Sequence, residues 1–258
     1  MIFHTVVLGR LKKTFRNENE FAIIFHGSKH EMKPEEFDFD ISKYDNDFGK
    51  AMYFGLEYDQ ARKWAARGGN GIVNYYLLPI DEIFNDPDTK VLLLRDQLEW
   101  LDTILTFLDD PDSQIADIII GDMMDGRTGP IIRNYIKIAS SRGVKMVDLD
   151  LETKVDMIHE LKPDVFNQQI AVKTKEGLKH VKFIGSMEVS NMSIQRYIDP
   201  ADVAAKVAIM LSVEDGISQN EAIVRFMRSK TFQELTASAE MCEMPPSEIL
   251  SIYRRECD

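Results

Sequence analysis

The sequence predicts an α+β fold: a mixed sheet with flanking helices, followed by a small all-helical domain. Seven runs of β-branched and aromatic residues mark strands between residues 21 and 190, with four amphipathic stretches among them. The two kinds of element do not alternate strictly, which argues against a doubly wound parallel sheet. From Ala201 onward only helical signals remain.

Residues 1–20 read as an extension, in which a short apolar piece runs into the basic Arg10-Leu11-Lys12-Lys13. A first domain, 21–190, carries the strands. These are expected at Phe21–His26, Ala51–Gly55, Gly71–Leu78, Lys90–Leu94, Ala116–Ile120, Gln168–Thr174 and Val181–Val189. Helices are expected at Glu57–Arg67, Gln97–Leu108, Pro130–Ser141 and Glu152–Leu161, where apolar positions recur at three- and four-residue spacing. The polar stretch Asn191 to Asp202 opens a second domain, 191–258, with Pro200 at a helix start. Val203, Val207, Met210 and Leu211 make one stripe there. Ser218-Gln219-Asn220-Glu221 is a capping-box pattern, and Pro245-Pro246-Ser247-Glu248 opens a last helix. So small a helical unit has a marginal core, so docking on the first domain through Val207, Phe226 and Ile249 is expected.

The 258 residues carry a net charge of −12, and the last 68 hold 7 basic against 11 acidic side chains. Acidity throughout argues against a broad phosphate-binding surface, so a protein partner is favoured over nucleic acid. The two cysteines, Cys242 and Cys257, form no metal pattern, and a reducing cytoplasm is expected. No apolar run approaches the about 20 residues that cross a bilayer. The first ten residues carry no basic segment ahead of their apolar stretch, so no signal peptide is expected. His4, His30, His159 and His180 lack ligand spacing, so no metal is expected.

Two words carry the chemistry. The first, His26-Gly27-Ser28, ends an apolar strand. Glycine lets a ligand approach the backbone closely, and an imidazole beside it can hydrogen-bond a ribose hydroxyl. Taken alone, His26 equally suits a strand-end histidine satisfied by a loop carbonyl. The second word is Phe48-Gly49-Lys50-Ala51-Met52-Tyr53-Phe54-Gly55, with Trp64 eleven residues after Tyr53. Aromatic faces suit a planar, electron-poor pyridinium. Taken alone, both aromatics equally suit core packing.

In this order the words resemble the core of ADP-ribosyltransferases of the diphtheria-toxin and poly-ADP-ribose-polymerase type, over roughly residues 21–185. The resemblance implies a mixed, antiparallel split sheet that binds NAD as substrate. It implies that His26 holds the adenosine-side ribose and that Gly27 binds the nicotinamide carboxamide through its backbone. It implies that Tyr53 stacks on the nicotinamide, with Ser28, Gly49, Lys50 and Trp64 as further NAD-binding positions. A family serine that also bonds the carboxamide is replaced here by Ala61. The family's third element is a glutamate opening a late strand. In Asn167-Gln168-Gln169-Ile170-Ala171-Val172 that position is Gln169, so the triad reads His26, Tyr53, Gln169. A carboxylate stabilises the oxocarbenium-like sugar formed as nicotinamide leaves. A glutamine can hold the ribose hydroxyl but brings no charge. Taken alone, Gln169 equally suits an exposed polar residue at a strand start.

More closely, the chain is similar to a bacterial family of uncharacterised proteins grouped with these enzymes. Its pattern has His-Gly-Ser, an Asp-Phe-Gly-Lys word, a strand like Asp117-Ile118-Ile119-Ile120-Gly121 and an Asn-Gln before the last strands. The helical tail resembles a small bacterial domain paired with that family.

The resemblance implies transfer of ADP-ribose from NAD to a macromolecular acceptor, with nicotinamide released. NAD hydrolysis and a non-catalytic NAD or ADP-ribose module are the alternatives. His26 and Tyr53 are expected to face one pocket with Gln169 within reach, and the helical domain is open to a protein partner. Of the remaining features, Gly68-Gly69-Asn70-Gly71 reads as a helix-ending turn. Asp125-Gly126-Arg127-Thr128-Gly129 reads as a loop or a cleft rim. The acidic Glu35-Glu36-Phe37-Asp38-Phe39-Asp40 reads as a solvated loop or a lid.

Overall fold

The computed structural model describes residues 22–41, 46–67, 69–124, 128–189 and 200–257. The N-terminal extension, Asp125-Gly126-Arg127 and residues 190–199 of the polar junction lie outside the described residues. The chain is mixed α/β. Its described strands are β1 (Ala22–Ser28), β2 (Met52–Gly55), β3 (Gly71–Leu78), β4 (Val91–Leu93), β5 (Ile118–Met124), β6 (Pro163–Val172) and β7 (Lys182–Val189). The described helices are α1 (Tyr58–Ala65), α2 (Ile80–Asn85), α3 (Gln97–Asp109), α4 (Gly129–Arg142), α5 (Leu151–Leu161), α6 (Lys175–Leu178), α7 (Pro200–Asp215), α8 (Gln219–Met227), α9 (Lys230–Ala237), α10 (Ala239–Glu243) and α11 (Pro246–Cys257). They gather into two compact units interleaved along the chain. One takes 22–34, 57–85 and 180–257; the other takes 35–41, 46–56 and 86–179. The boundary read from the sequence near residue 190 falls inside the first of these.

In the first unit β3 is central and runs antiparallel to both β1 and β7. Alternation puts Ile23 and Phe25 of β1 on the same face as Val73, Tyr75 and Leu77 of β3, and all five are buried in one apolar core. Helix α1 adds Tyr58, Ala61 and Ala65 to that core, β7 adds Ile184 and Val189, and helices α7–α11 add the rest, with Val207, Phe226 and Ile249 fully buried. Serines start three of these helices. Ser218, Ser229 and Ser238 each accept a backbone N–H three residues on, from Glu221, Phe232 and Met241. Arg254 of α11 pairs with Glu214 at 3.1 Å and with Asp215, tying the last helix to α7. No strand occurs beyond Val189 among the described residues.

In the second unit β5 pairs in parallel with β4 and antiparallel with β6, and β6 pairs antiparallel with β2. Its core gathers Phe48, Leu94, Trp100, Ile104, Ile119, Met157 and Ala171 under helices α3, α4 and α5. Asp96 starts α3 by accepting the N–H groups of Leu98 and Glu99. Asp150 does the same for α5 with Thr153. Strand β6 begins at Pro163, five residues before the expected start at Gln168. Proline is tolerated as the first residue of a strand. Gln169 therefore lies within the strand and does not open it. No helix among the described residues is long and apolar enough to cross a membrane.

Candidate functional site

The expected site residues are divided between the units. His26, Gly27, Ser28 and Trp64 belong to the first; Gly49, Lys50, Tyr53 and Gln169 belong to the second. Each set has its own local geometry.

At the end of β1, His26 lies opposite Asn74 of β3. Asn74 is fully buried and organises the loop after the strand. Its Nδ2 donates to the Ser28 hydroxyl at 3.0 Å and to the carbonyls of His26 and His30, both at 3.3 Å. Its Oδ1 accepts the N–H of Met32 at 2.9 Å. The Ser28 hydroxyl in turn donates to the His30 carbonyl. Two neighbours on the same face extend the tether. The Tyr76 hydroxyl donates to the Met32 carbonyl at 2.5 Å, and Ser186 donates to Glu31 at 2.7 Å. Burial, and then the charge of Glu31, push the Tyr76 phenol up, so it remains a donor. The loop 29–32 is thus fastened to the face of the sheet that carries Asn74, Tyr76 and Ser186.

Gly27 points the other way. A Cβ there would lie 2.0 Å from the Ala61 carbonyl oxygen and 2.8 Å from the Ala65 nitrogen. Helix α1 therefore uses the space that the glycine leaves, which is a packing reason for Gly27 separate from ligand approach. Ala61 is 4% exposed and belongs to this contact. Trp64 is not core: it is 48% exposed, and the Arg67 guanidinium lies 3.4 Å from its ring centroid. Lys29 caps the end of α1, donating to the carbonyls of Ala65 at 2.8 Å and Asn70 at 2.9 Å.

In the second unit the Asp47–Lys50 segment is a tight turn, with the Gly49 N–H bonded to the Asn46 carbonyl at 3.0 Å. Gly49 has φ +68°, which favours glycine, and a Cβ would also meet the Pro111 carbonyl oxygen at a tight 3.0 Å. Three successive carbonyls of the turn are claimed. Lys173 Nζ donates to Phe48 at 2.6 Å and to Lys50 at 2.9 Å, and the Tyr53 hydroxyl donates to Gly49 at 2.7 Å. The same hydroxyl accepts the Phe48 N–H at 3.0 Å. Burial pushes the Tyr53 phenol up, with the Asp47 charge adding to it, so the hydroxyl keeps its proton. Burial pulls the Lys173 ammonium down to about 8 against the opposing charge of Asp112. Its Nζ also stands 4.0 Å from the Phe107 ring centroid. The Lys50 ammonium is paired with Asp112 at 3.3 Å.

Tyr53 lies opposite Ala171, and Gln169 is two residues from Ala171, so Tyr53 and Gln169 share a face. Gln169 is 7% exposed, which rules out the exposed polar residue. Both of its cross-strand neighbours, Gly55 and Gly121, are glycines. Its Nε2 donates to Asp47 Oδ2 at 2.6 Å, and the same oxygen takes the Met124 N–H at 3.3 Å. Burial raises the Asp47 carboxyl above the usual range, opposed by the bonds from Gln169, Met124 and its own backbone. The turn thus joins two members of the expected triad: Asp47 holds Gln169, and the next residue, Phe48, bonds Tyr53. Sequence reasoning missed the partners Asp47, Lys173 and Asn74. Asp47 directly precedes the second word, but nothing local marks its link to residue 169.

The two units and these two words define a mixed α/β protein. A family model described as "Protein of unknown function (DUF3990)" matches residues 22–183, more than half of the chain, and the chain belongs to that family. The match includes His26, Asp47, Tyr53 and Gln169 and ends before α7. No curated protein and no solved structure matches.

Proposed function

We propose that this protein has an ADP-ribosyltransferase-like fold and transfers ADP-ribose from NAD to a macromolecular acceptor. The observation that carries this reading is the joining of Tyr53 and Gln169 through the 47–49 turn, on one face of β2 and β6. Tyr53 has its hydroxyl bound into the turn, so what it can offer a ligand is its ring face, which suits stacking on nicotinamide. Gln169 is held for a ribose hydroxyl. In the first unit, Asn74 fixes the strand end His26-Gly27-Ser28, the other stretch of sequence on which the NAD reading rests.

In the reaction the bond from the ribose C1′ to the pyridinium nitrogen breaks, and its electron pair leaves with neutral nicotinamide. The acceptor nucleophile then bonds C1′ and gives up its proton. Labelled ADP-ribose tests this: label on a protein acceptor supports transfer, whereas label only in free ADP-ribose means that water is the acceptor. A second reading, a module that binds NAD without chemistry, is favoured by the neutral amide at position 169. Calorimetric NAD binding with no nicotinamide formed would establish it.

A further inference from the structure

A carboxylate buried against an amide fixes which end of the amide faces it. Asp47 Oδ2 receives the Met124 N–H at 3.3 Å and lies 2.6 Å from Gln169 Nε2. Both groups are donors, so the oxygen acts as an acceptor and the amine end of Gln169 is the end it holds. The carbonyl end, Oε1, is then turned away from Asp47. The neighbours of Gln169 on both adjoining strands, Gly55 and Gly121, bring no side chain to compete for the amide. An acceptor oxygen left free of Asp47 is also what a glutamate would present at this position.

We propose that Asp47 is a positioning residue that locks the Gln169 amide with its carbonyl oxygen turned away from Asp47, so that a neutral glutamine serves as the hydroxyl acceptor a glutamate would be. This rests on the NAD reading above for the identity of the hydroxyl, a ribose hydroxyl of NAD. Burial disfavours the ionised Asp47, and the donors converging on it offset part of that cost. Gln169→Glu alone sets two carboxyl groups against each other, so one of them must hold a proton. That substitution becomes productive only when Asp47 is also changed to a donor.

The test compares wild type, Asp47→Asn, Gln169→Glu and the double exchange Asp47→Asn/Gln169→Glu. Asp47→Asn can turn either end of its own amide to residue 169, so a single orientation of Gln169 is no longer enforced. The expected result is a fall in kcat for nicotinamide release of roughly ten- to a hundredfold, with KM for NAD changed far less. Gln169→Glu should also be slow. In the double exchange the amide introduced at position 47 donates to the carboxylate introduced at position 169 at the cost of the Met124 bond, and kcat should recover above that of either single exchange. Wild-type kcat in Asp47→Asn, or no recovery in the double exchange, overturns the proposal. The orientation has its own readout in the Gln169 side-chain amide resonances of ¹⁵N-labelled protein. They should shift in Asp47→Asn while the melting temperature is kept, and unchanged resonances overturn the proposal. If wild type neither binds nor cleaves NAD, the NAD reading fails, and the amide resonances still decide what Asp47 does.

Discussion

The ammonium of Lys173 lies 2.6 Å from the carbonyl oxygen of Phe48, across 125 residues of chain. It also holds the Lys50 carbonyl, and Tyr53 holds the one between. The turn that bears the second sequence word is therefore fixed from β2 and from the residue that follows β6, by side chains that cannot be moved without orphaning its carbonyls.

Lys173→Met keeps the stem and removes the donors. Two carbonyls of the turn lose their partner, and stability should fall by roughly 1–3 kcal/mol. The effect should depend on pH. Burial holds the folded ammonium at about 8, below its ordinary 10.5, with Asp112, itself paired with Lys50, acting in the opposite direction. Between those values the unfolded chain binds the proton more tightly, so the Lys173 contribution grows as pH rises and is lost as pH falls through about 8. Urea titrations of wild type and Lys173→Met across that window should diverge as pH rises. Parallel curves would contradict this.

Tyr53→Phe separates the ring from its hydroxyl. The Phe48 N–H and Gly49 carbonyl lose a partner, which should lower stability by about 1–3 kcal/mol. The ring remains, so NAD affinity should fall much less than in Tyr53→Ala. Calorimetric titrations that find equal losses in both variants would remove the stacking role.

Gly27→Ala sets a Cβ 2.0 Å from a backbone oxygen of α1, which a side-chain rotation cannot relieve. A loss of about 3 kcal/mol is expected as the helix is pushed off the strand. Gly185→Ala, with nothing within 4 Å of the added Cβ, is the control and should be nearly neutral. Thermal melts of the two variants make the comparison, and similar melting temperatures would refute the packing role.

Asn74→Ala should release the loop after Ser28. Four bonds from one buried side chain end together, and a loss of roughly 1–3 kcal/mol is expected. Hydrogen exchange at the Met32 amide reports it directly. Protection equal to wild type would mean that Tyr76 and Ser186 suffice.

The elements are largely legible in the sequence because they rest on local period. Strand β3 has the bounds its aromatic, β-branched run indicates, and α3 begins where the apolar spacing places it. The start of β6 is hidden because Pro163 reads locally as a break. The interleaved units are not legible, since a chain that passes back and forth between two cores leaves no change of composition at each passage. The site is half legible. Gly49, Tyr53 and Gln169 carry family words, but their partners come from afar: Asp47 and Gln169 are 122 residues apart. Trp64 leaves core packing open because an aromatic in a helix pattern does not say which face it occupies, and the structure shows it exposed.

Nicotinamide released from NAD by the purified chain tests the central claim most directly. The account predicts release by wild type, and its loss in both Tyr53→Ala and Gln169→Ala. A wild-type protein that releases no nicotinamide, or variants that release it at the wild-type rate, would contradict it.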